Sequence, residues 1–159
     1  MPILYIISGV PGSGKSYFCD NFTYNSGIRH VSRDLIRYAL LQDTDDYFAH
    51  EEEVYRTFVT VVVDALQHDE SVIADATHLN AGSRKKLIQS IDEYFVDYQI
   101  IFIYLSTDFD ICCSRNRQRT GRRKVPEATM IDMYSKWQPP RMNEDSRCIG
   151  VMKVKGDDI

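Results

Sequence analysis

The sequence predicts an α/β domain whose parallel sheet of about five strands is covered by helices on both faces. Three observations carry that expectation. Apolar runs of strand length alternate with segments of helical length, the first run passes straight into a glycine-rich turn, and no repeat, low-complexity tract or long linker divides the chain. Alternation implies parallel pairing, because parallel neighbours need a crossover of helical size. The 159 residues, 43% hydrophobic and 26% charged, suit a single domain over residues 1–159 with an ordinary core.

Taken in order, the first strand covers residues 4–8, and a helix follows the glycine-rich turn at about residues 14–22. A second strand spans 28–31, after which Ser32 is placed to cap a helix running to about Leu41. A longer helix begins at Thr44 or Asp45, since Tyr47, Phe48, Val54, Tyr55, Phe58, Val61, Val62, Ala65 and Leu66 recur near helical period. The third strand spans 71–74, and Asn80 caps a helix carrying Leu87, Ile88, Ile91 and Phe95. After a fourth strand at 98–105, Thr107 and Asp110 form an [ST]-x-x-[DE] helix-start signal. Pro126 and Glu127 open a last helix with Met130, Met133, Tyr134 and Trp137 on one face, which Pro139-Pro140 stops. The fifth strand spans 148–154.

Composition narrows the function classes. A net charge of −4 argues against a protein that coats nucleic acid non-specifically. Charge is uneven, however: Arg115, Arg117, Arg119, Arg122, Arg123 and Lys124 form a basic run without an acid, while Asp43, Asp45, Asp46, Glu51, Glu52 and Glu53 form an acidic stretch. That pattern suits a partner with localised phosphates. No apolar run has the length of a membrane span, and the first strand is too short for a signal peptide. Cys19, Cys112, Cys113 and Cys148 show no C-x-x-C pair and no metal-ligand spacing, which fits reduced thiols and a cytoplasmic setting.

Residues 9–16 read Gly-Val-Pro-Gly-Ser-Gly-Lys-Ser, a complete G-x-x-x-x-G-K-[ST] phosphate-binding loop in its required place between strand and helix. Its backbone N–H groups make a nest for phosphate oxygens, and its glycines permit the sharp bend and the close approach. Lys15 then reaches the β- and γ-phosphates, Ser16 supplies a hydroxyl to Mg²⁺, and the following helix adds its positive dipole end.

Open parallel sheets bind ligands beyond the carboxyl ends of their strands, and unusual polar residues stand at those ends here. After the second strand, Asp34 and Arg37 lie three apart on one helical face. Asp34 either accepts the proton of an attacking hydroxyl or merely favours the helix N-terminus, and Arg37 either grips a phosphate of the acceptor or is solvated. Asp75 ends the third strand, the usual position for an acid that supports Mg²⁺ through water. Thr77 and His78 follow, either as contacts to acceptor or nucleotide or as turn and cap residues. The basic run reads as a loop, broken at Gly121, that closes over a triphosphate as an Arg-rich lid at about residues 115–126.

Four stretches together resemble the kinase module of phage-type 5′-hydroxyl polynucleotide kinases: the loop, Arg33-Asp34-x-x-Arg37, Asp75-x-Thr77 with Leu79-Asn80, and Arg115-Asn116 with Arg119 ending in Val125-Pro126. The resemblance covers residues 4 to 137. It implies a P-loop kinase fold, and transfer of the γ-phosphate of ATP to a 5′-OH end of RNA or DNA in nucleic-acid end repair. It implies Lys15, Asp34 as base, and a lid arginine from Arg119, Arg122 and Arg123 as the catalytic set. Gly9, Pro11, Gly12, Ser13, Gly14, Lys15, Ser16, Tyr17 and Arg115 would bind ATP. Arg33, Arg37, Asp75, Thr77 and His78 would meet the substrate, with Arg37 on the 3′-phosphate flanking the 5′-terminal nucleoside. Ser16 would hold Mg²⁺, with Asp34 and Asp75 acting on it through water. Two departures stand out: the lid is about one residue longer than the family pattern, and His78 stands where that pattern has asparagine. The family's best-known members carry a following phosphatase domain with a D-x-D nucleophile; no room remains for one here, so no 3′-end healing activity is expected. A phage-encoded protein acting in host cytoplasm fits the resemblance. The main alternative is a P-loop kinase of a small metabolite or nucleoside, which needs no grip at Arg37. A guanine-nucleotide switch is disfavoured, because neither D-x-x-G nor N-K-x-D occurs.

Overall fold

The computed structural model describes residues 1–42, 44–46 and 48–157. Asp43 of the acidic stretch and Tyr47 of the expected helix face lie outside the described residues. Five strands, β1 (Ile3–Ser8), β2 (Arg29–Ser32), β3 (Val72–Asp75), β4 (Gln99–Leu105) and β5 (Cys148–Val154), form one sheet in the order β2-β3-β1-β4-β5. Every pairing is parallel, with Leu4 opposite Val72 on one side of β1 and Ile100 on the other.

The central strands read as unbroken apolar runs because both their faces are covered, one residue to each side in turn. Leu4, Ile6, Val72, Ala74, Ile100 and Phe102 face a core filled by Phe58, Val62 and Val63 of α3 (Glu51–Gln67) and Leu87, Ile88 and Ile91 of α4 (Ala81–Asp92). Ile7, Ile73, Ile103 and Leu105 turn the other way and meet Cys19, Phe18 and Phe22 of α1 (Lys15–Thr23). A third cluster joins Val10 to Cys112, Cys113 and Met130, on α5 (Phe109–Arg117) and α6 (Glu127–Lys136). Edge strand β5 leaves Ile149 and Met152 exposed.

Two caps expected from the sequence are present. Ser32 accepts the Leu35 N–H at the start of α2 (Arg33–Leu40), and Asn80 forms a reciprocal box with Ser83. Three boundaries differ from expectation. α3 begins at Glu51, because residues 44–46 and 48–50 make turns closed by the Asp45 and Ala49 N–H groups. Its first turn then holds Glu51, Glu52 and Glu53, where carboxylates suit the helix dipole. α4 ends at Asp92, and Phe95, in a left-handed turn at φ 55°, points to solvent at 94% exposure. Tyr98 takes the core place instead and donates to Asp92 Oδ1 at 2.7 Å. The start of α5 is capped by Asp108, which accepts the Asp110 N–H, because the Thr107 hydroxyl is engaged elsewhere.

Strand order positions the chemistry. The chain leaves β1 for the β2–β3 side and crosses back to β4, so the crevice beyond the carboxyl end of β1 is a topological switch point.

Candidate active site

That crevice holds the phosphate loop. Gly12 and Gly14 adopt φ of 83° and 102°, a region closed to most side chains, and a Cβ at Gly12 would sit 2.5 Å from the Cys112 carbonyl oxygen. The loop is tied down from beneath. The Gly9 N–H donates to the Thr77 carbonyl at 3.0 Å, the Ser13 N–H to Val10, and the Thr107 hydroxyl to the Ser13 carbonyl at 2.6 Å. Gly9 and buried Ser13 therefore shape the loop, whereas Pro11, Gly12, Gly14, Lys15, Ser16 and Tyr17 line an open cleft of about 670 Å³. The Ser13 hydroxyl is buried with no partner among the described residues.

Lys15 donates to the Val10 carbonyl at 3.0 Å. Desolvation lowers its pKa, against the pull of Asp75 and Asp34 and with the push of Arg119. A desolvated cation among N–H donors has its charge available for an anion. The Ser16 hydroxyl donates to Asp75 Oδ2 at 3.3 Å. Asp75 is only 4% exposed and also binds His30 Nε2 at 2.8 Å, while His30 Nδ1 meets Asp20 at 3.2 Å. Burial alone would lower the His30 pKa, but Asp75 and Asp20 outweigh it and hold it above the usual value. A hydroxyl backed by an aligned carboxylate suits Mg²⁺, a hard ion that keeps several waters and takes few protein oxygens.

A second wall of the cleft is formed by α2. Asp34, with its side chain 57% exposed, is bound by Arg37 Nη1 at 2.5 Å. Arg37 is 4% exposed and sets Nη2 on both oxygens of Glu51 at 2.9 and 3.0 Å. Arg33 contacts the same Glu51 and lies 5.1 Å over the Tyr55 ring. One carboxylate thus aligns both arginines. The sequence carried no signal for this use of Glu51, which sits among acids whose neighbours serve the helix dipole. Tyr38 and Phe48 also line the cleft and were not anticipated as site residues; Phe48 lies beside Arg37, 5.9 Å from guanidinium to ring centre.

The basic run begins inside α5. Arg115 bridges the Gly12 carbonyl at 3.1 Å and the Gly156 carbonyl at 2.8 Å, so it contributes to the loop wall. The Asn116 amide clasps both backbone groups of Val125 and closes the basic loop at its base. Between them Gly121, at φ 61°, opens a short 3₁₀ turn, Gly121–Arg123. Arg122 and Arg123 stack on Tyr38 of α2 at 5.3 and 5.8 Å, which brings this basic loop against the α2 wall. Arg119 projects from the end of α5 into the cleft, and its charge bears on Lys15. Arg117 turns outward to Glu127.

Of the residues singled out in the sequence, Lys15, Ser16, Arg33, Asp34, Arg37, Asp75, Thr77, Arg115, Arg119, Arg122 and Arg123 line this one cleft. His78 does not. A left-handed turn at φ 38° swings its ring inward, where Nδ1–H donates to the Ile7 carbonyl at 2.7 Å and the ring packs near Phe58. Desolvation pushes its pKa down to about 4, so it is a neutral core imidazole and not a substrate contact. Its carbonyl is held by the Ser8 hydroxyl and by Arg84, itself fully buried and paired with Glu144. No local pattern in the sequence marks that polar strut under the loop. No helix among the described residues is long and apolar enough to cross a membrane.

A family model described as an AAA domain matches residues 4–140. The L-seryl-tRNA(Sec) kinase of Methanococcus maripaludis is 26% identical over 143 residues, covering 87% of this chain and 53% of that protein. The chain thus spans about half the length of the curated relative it matches. A chain of the Pnkp1/Rnl/Hen1 RNA repair complex superposes with a TM-score of 0.71 at 25% identity, covering 85% of this chain and 43% of that one. A candidate kinase from Chloroflexus aurantiacus shares the fold, with a TM-score of 0.77 at 15% identity over 97% of this chain and 85% of that one.

Proposed function

We propose, for a chain that belongs to the AAA domain family and is a P-loop kinase, that the acceptor is the 5′-hydroxyl end of RNA or DNA and the donor is ATP. The observation carrying this reading is the juxtaposition of two walls. Asp34 on the first turn of α2 and Arg37 one turn later share one cleft with Lys15 and Arg119, and the charge of Asp34 bears on Lys15. In this reading the loop N–H groups and Lys15 hold the β- and γ-phosphates. Asp34 accepts the proton of the 5′-hydroxyl as its oxygen bonds to the γ-phosphorus, the bond to the bridging β–γ oxygen breaks, and ADP leaves. Arg119, whose charge bears on Lys15, is the lid arginine at the transferring group, and Arg122 and Arg123 seat the lid on Tyr38. Arg37 takes the phosphate on the 3′ side of the terminal nucleoside, with Glu51 presenting it. Mg²⁺, held at the Ser16 hydroxyl with Asp75 behind it, would neutralise phosphate charge.

A second reading has its own support. The Methanococcus relative is a kinase of L-seryl-tRNA(Sec), so the acceptor alcohol could be carried on an RNA without being its 5′ end. The small-metabolite alternative remains the third arm of one assay. The protein is incubated with γ-labelled ATP and, separately, 5′-OH RNA and DNA oligonucleotides, seryl-tRNA, a nucleoside and a sugar. Label on the oligonucleotides, and its loss when their 5′ ends are already phosphorylated, supports end phosphorylation. Label confined to seryl-tRNA or to the small alcohols overturns it.

A further inference from the structure

We propose that Cys19, His30 and Asp75 form a binding site for a borderline-soft divalent cation of the zinc or cobalt class, directly behind the Ser16 hydroxyl. The three side chains come from separate elements. Cys19 lies on the buried face of α1, one turn after Lys15, His30 lies on β2, and Asp75 ends β3. Their sulfur, nitrogen and oxygen donors all lie within 4.8 Å of one another. Geometry then guarantees a point within about 2.8 Å of all three donors, against roughly 2.0–2.3 Å for zinc bonds to nitrogen, oxygen and sulfur, so sub-ångström movements would close the site.

The donor set selects the metal. A thiolate, an imidazole and a carboxylate suit Zn²⁺ or Co²⁺ with a fourth position left open, whereas Mg²⁺ prefers oxygen donors alone. The surroundings are those of a ligand site. His30 Nδ1 meets the Asp20 carboxylate, the outer contact that fixes the ring and leaves Nε2 to face inward. Burial first, and then the Asp75 and Asp20 carboxylates, hold the Cys19 thiol well above its usual value against the pull of the Lys15 ammonium, and those same carboxylates attract a cation. Asp75 lines the cleft, which provides the entry path. On binding, the Cys19 thiol proton, and any proton on His30 Nε2, leaves to solvent, and His30 keeps its proton on Nδ1.

The site shares Asp75 with the bond to Ser16. Occupancy therefore takes that carboxylate from the phosphate loop and suppresses phosphotransfer. This consequence, though not the binding, rests on the role proposed above for Ser16 and Asp75.

The whole chain is titrated with Co²⁺ and followed by thiolate-to-cobalt absorption, and with Zn²⁺ against a chromophoric chelator. Wild type and Cys148→Ser, altered on the edge strand away from the site, should bind one ion with the thiolate band. Cys19→Ser should lose the band and bind at least roughly 10-fold more weakly, and His30→Gln should weaken binding similarly. Thermal melts confirm that each variant is folded, and Cys19→Ala replaces Cys19→Ser if the latter is not. A missing thiolate band in wild type, or a band that persists in the folded Cys19 variant, overturns the site. Zinc inhibition of phosphotransfer that is unchanged by the Cys19 substitution overturns its inhibitory consequence while leaving the binding result to stand by itself.

Discussion

Replacing Arg37 with alanine separates the observed task of holding Asp34 and Glu51 in place from the proposed one of gripping an acceptor phosphate. The structural cost comes from the carboxylates left behind. Breaking a fully buried ion pair costs about 3–5 kcal/mol. Here, however, Asp34 is 57% exposed, and Glu51, 32% exposed, retains Arg33. Solvent and the surviving partner reduce the expected loss to about 1–2 kcal/mol, or roughly 2–8 °C in Tm for a chain of this size. The functional cost is separate. A charged hydrogen-bonded contact to phosphate is worth about 1.5–3 kcal/mol, but the Arg37 fork already serves two carboxylates, and a phosphate must share or displace one of them. The low end applies, which is about a tenfold rise in KM for a 5′-OH oligonucleotide. KM for a nucleoside without a 3′-phosphate should change little. Steady-state phosphorylation of the two acceptors, with urea or thermal unfolding of the same preparation, measures both terms. Arg37→Lys should recover part of the stability but little of the discrimination, because an ammonium lacks the fork. An equal rise in KM for both acceptors would refute the phosphate grip and leave Arg37 as a brace for Asp34.

Lys15→Ala should abolish nearly all phosphotransfer with little change in Tm; a full rate in that variant would remove the loop lysine from the mechanism. Asp34→Asn should lower kcat by about 10²–10⁴-fold with ATP affinity nearly unchanged, as expected for a base acting in the transition state; parallel losses would mark Asp34 as structural. Gly12→Ala should destabilise the loop and weaken nucleotide binding, since φ is 83° and the new carbon would meet the Cys112 carbonyl at 2.5 Å; wild-type nucleotide affinity by calorimetry would contradict this. His78, whose folded pKa of about 4 lies below the ordinary 6.5, binds a proton more readily when unfolded. Its contribution of roughly 3 kcal/mol is complete above pH 6.5 and lost as pH falls toward 4. His30 shifts the other way, so its contribution is lost as pH rises and is fully present below the ordinary 6.5; it cannot produce a loss on acidification. Denaturation midpoints between pH 7 and 4.5 should therefore fall in wild type and fall less in His78→Gln; identical slopes would contradict a buried neutral imidazole.

The sheet was legible because its signal is local. Residues 4–7, 72–74 and 100–105 are continuous apolar runs, and strands covered on both faces leave little else to misread. The phosphate loop was legible because glycine geometry and a lysine are required in fixed order. Boundaries failed where tertiary contacts compete with local signals. Thr107 lost its capping role to the Ser13 carbonyl, and Phe95 yielded the core to Tyr98. His78 misled because a polar residue at a strand end looks the same whether its turn swings it out or in; only φ of 38° decides. Glu51 was invisible because its partners lie 14 and 18 positions away, and no periodicity links them.

Arg115 has a consequence for motion. It sits on the helix that carries the lid and reaches down to grasp the Gly12 and Gly156 carbonyls, while Gly156 is pressed so close to Thr107 and Ser13 that a Cβ there would fall 2.1 Å from the Thr107 hydroxyl. One side chain thus joins the segment over the cleft to the glycine loop beneath it. Tilting α5 to admit or release a nucleotide must tug on the cradle, so gate and grip move as one mechanical part.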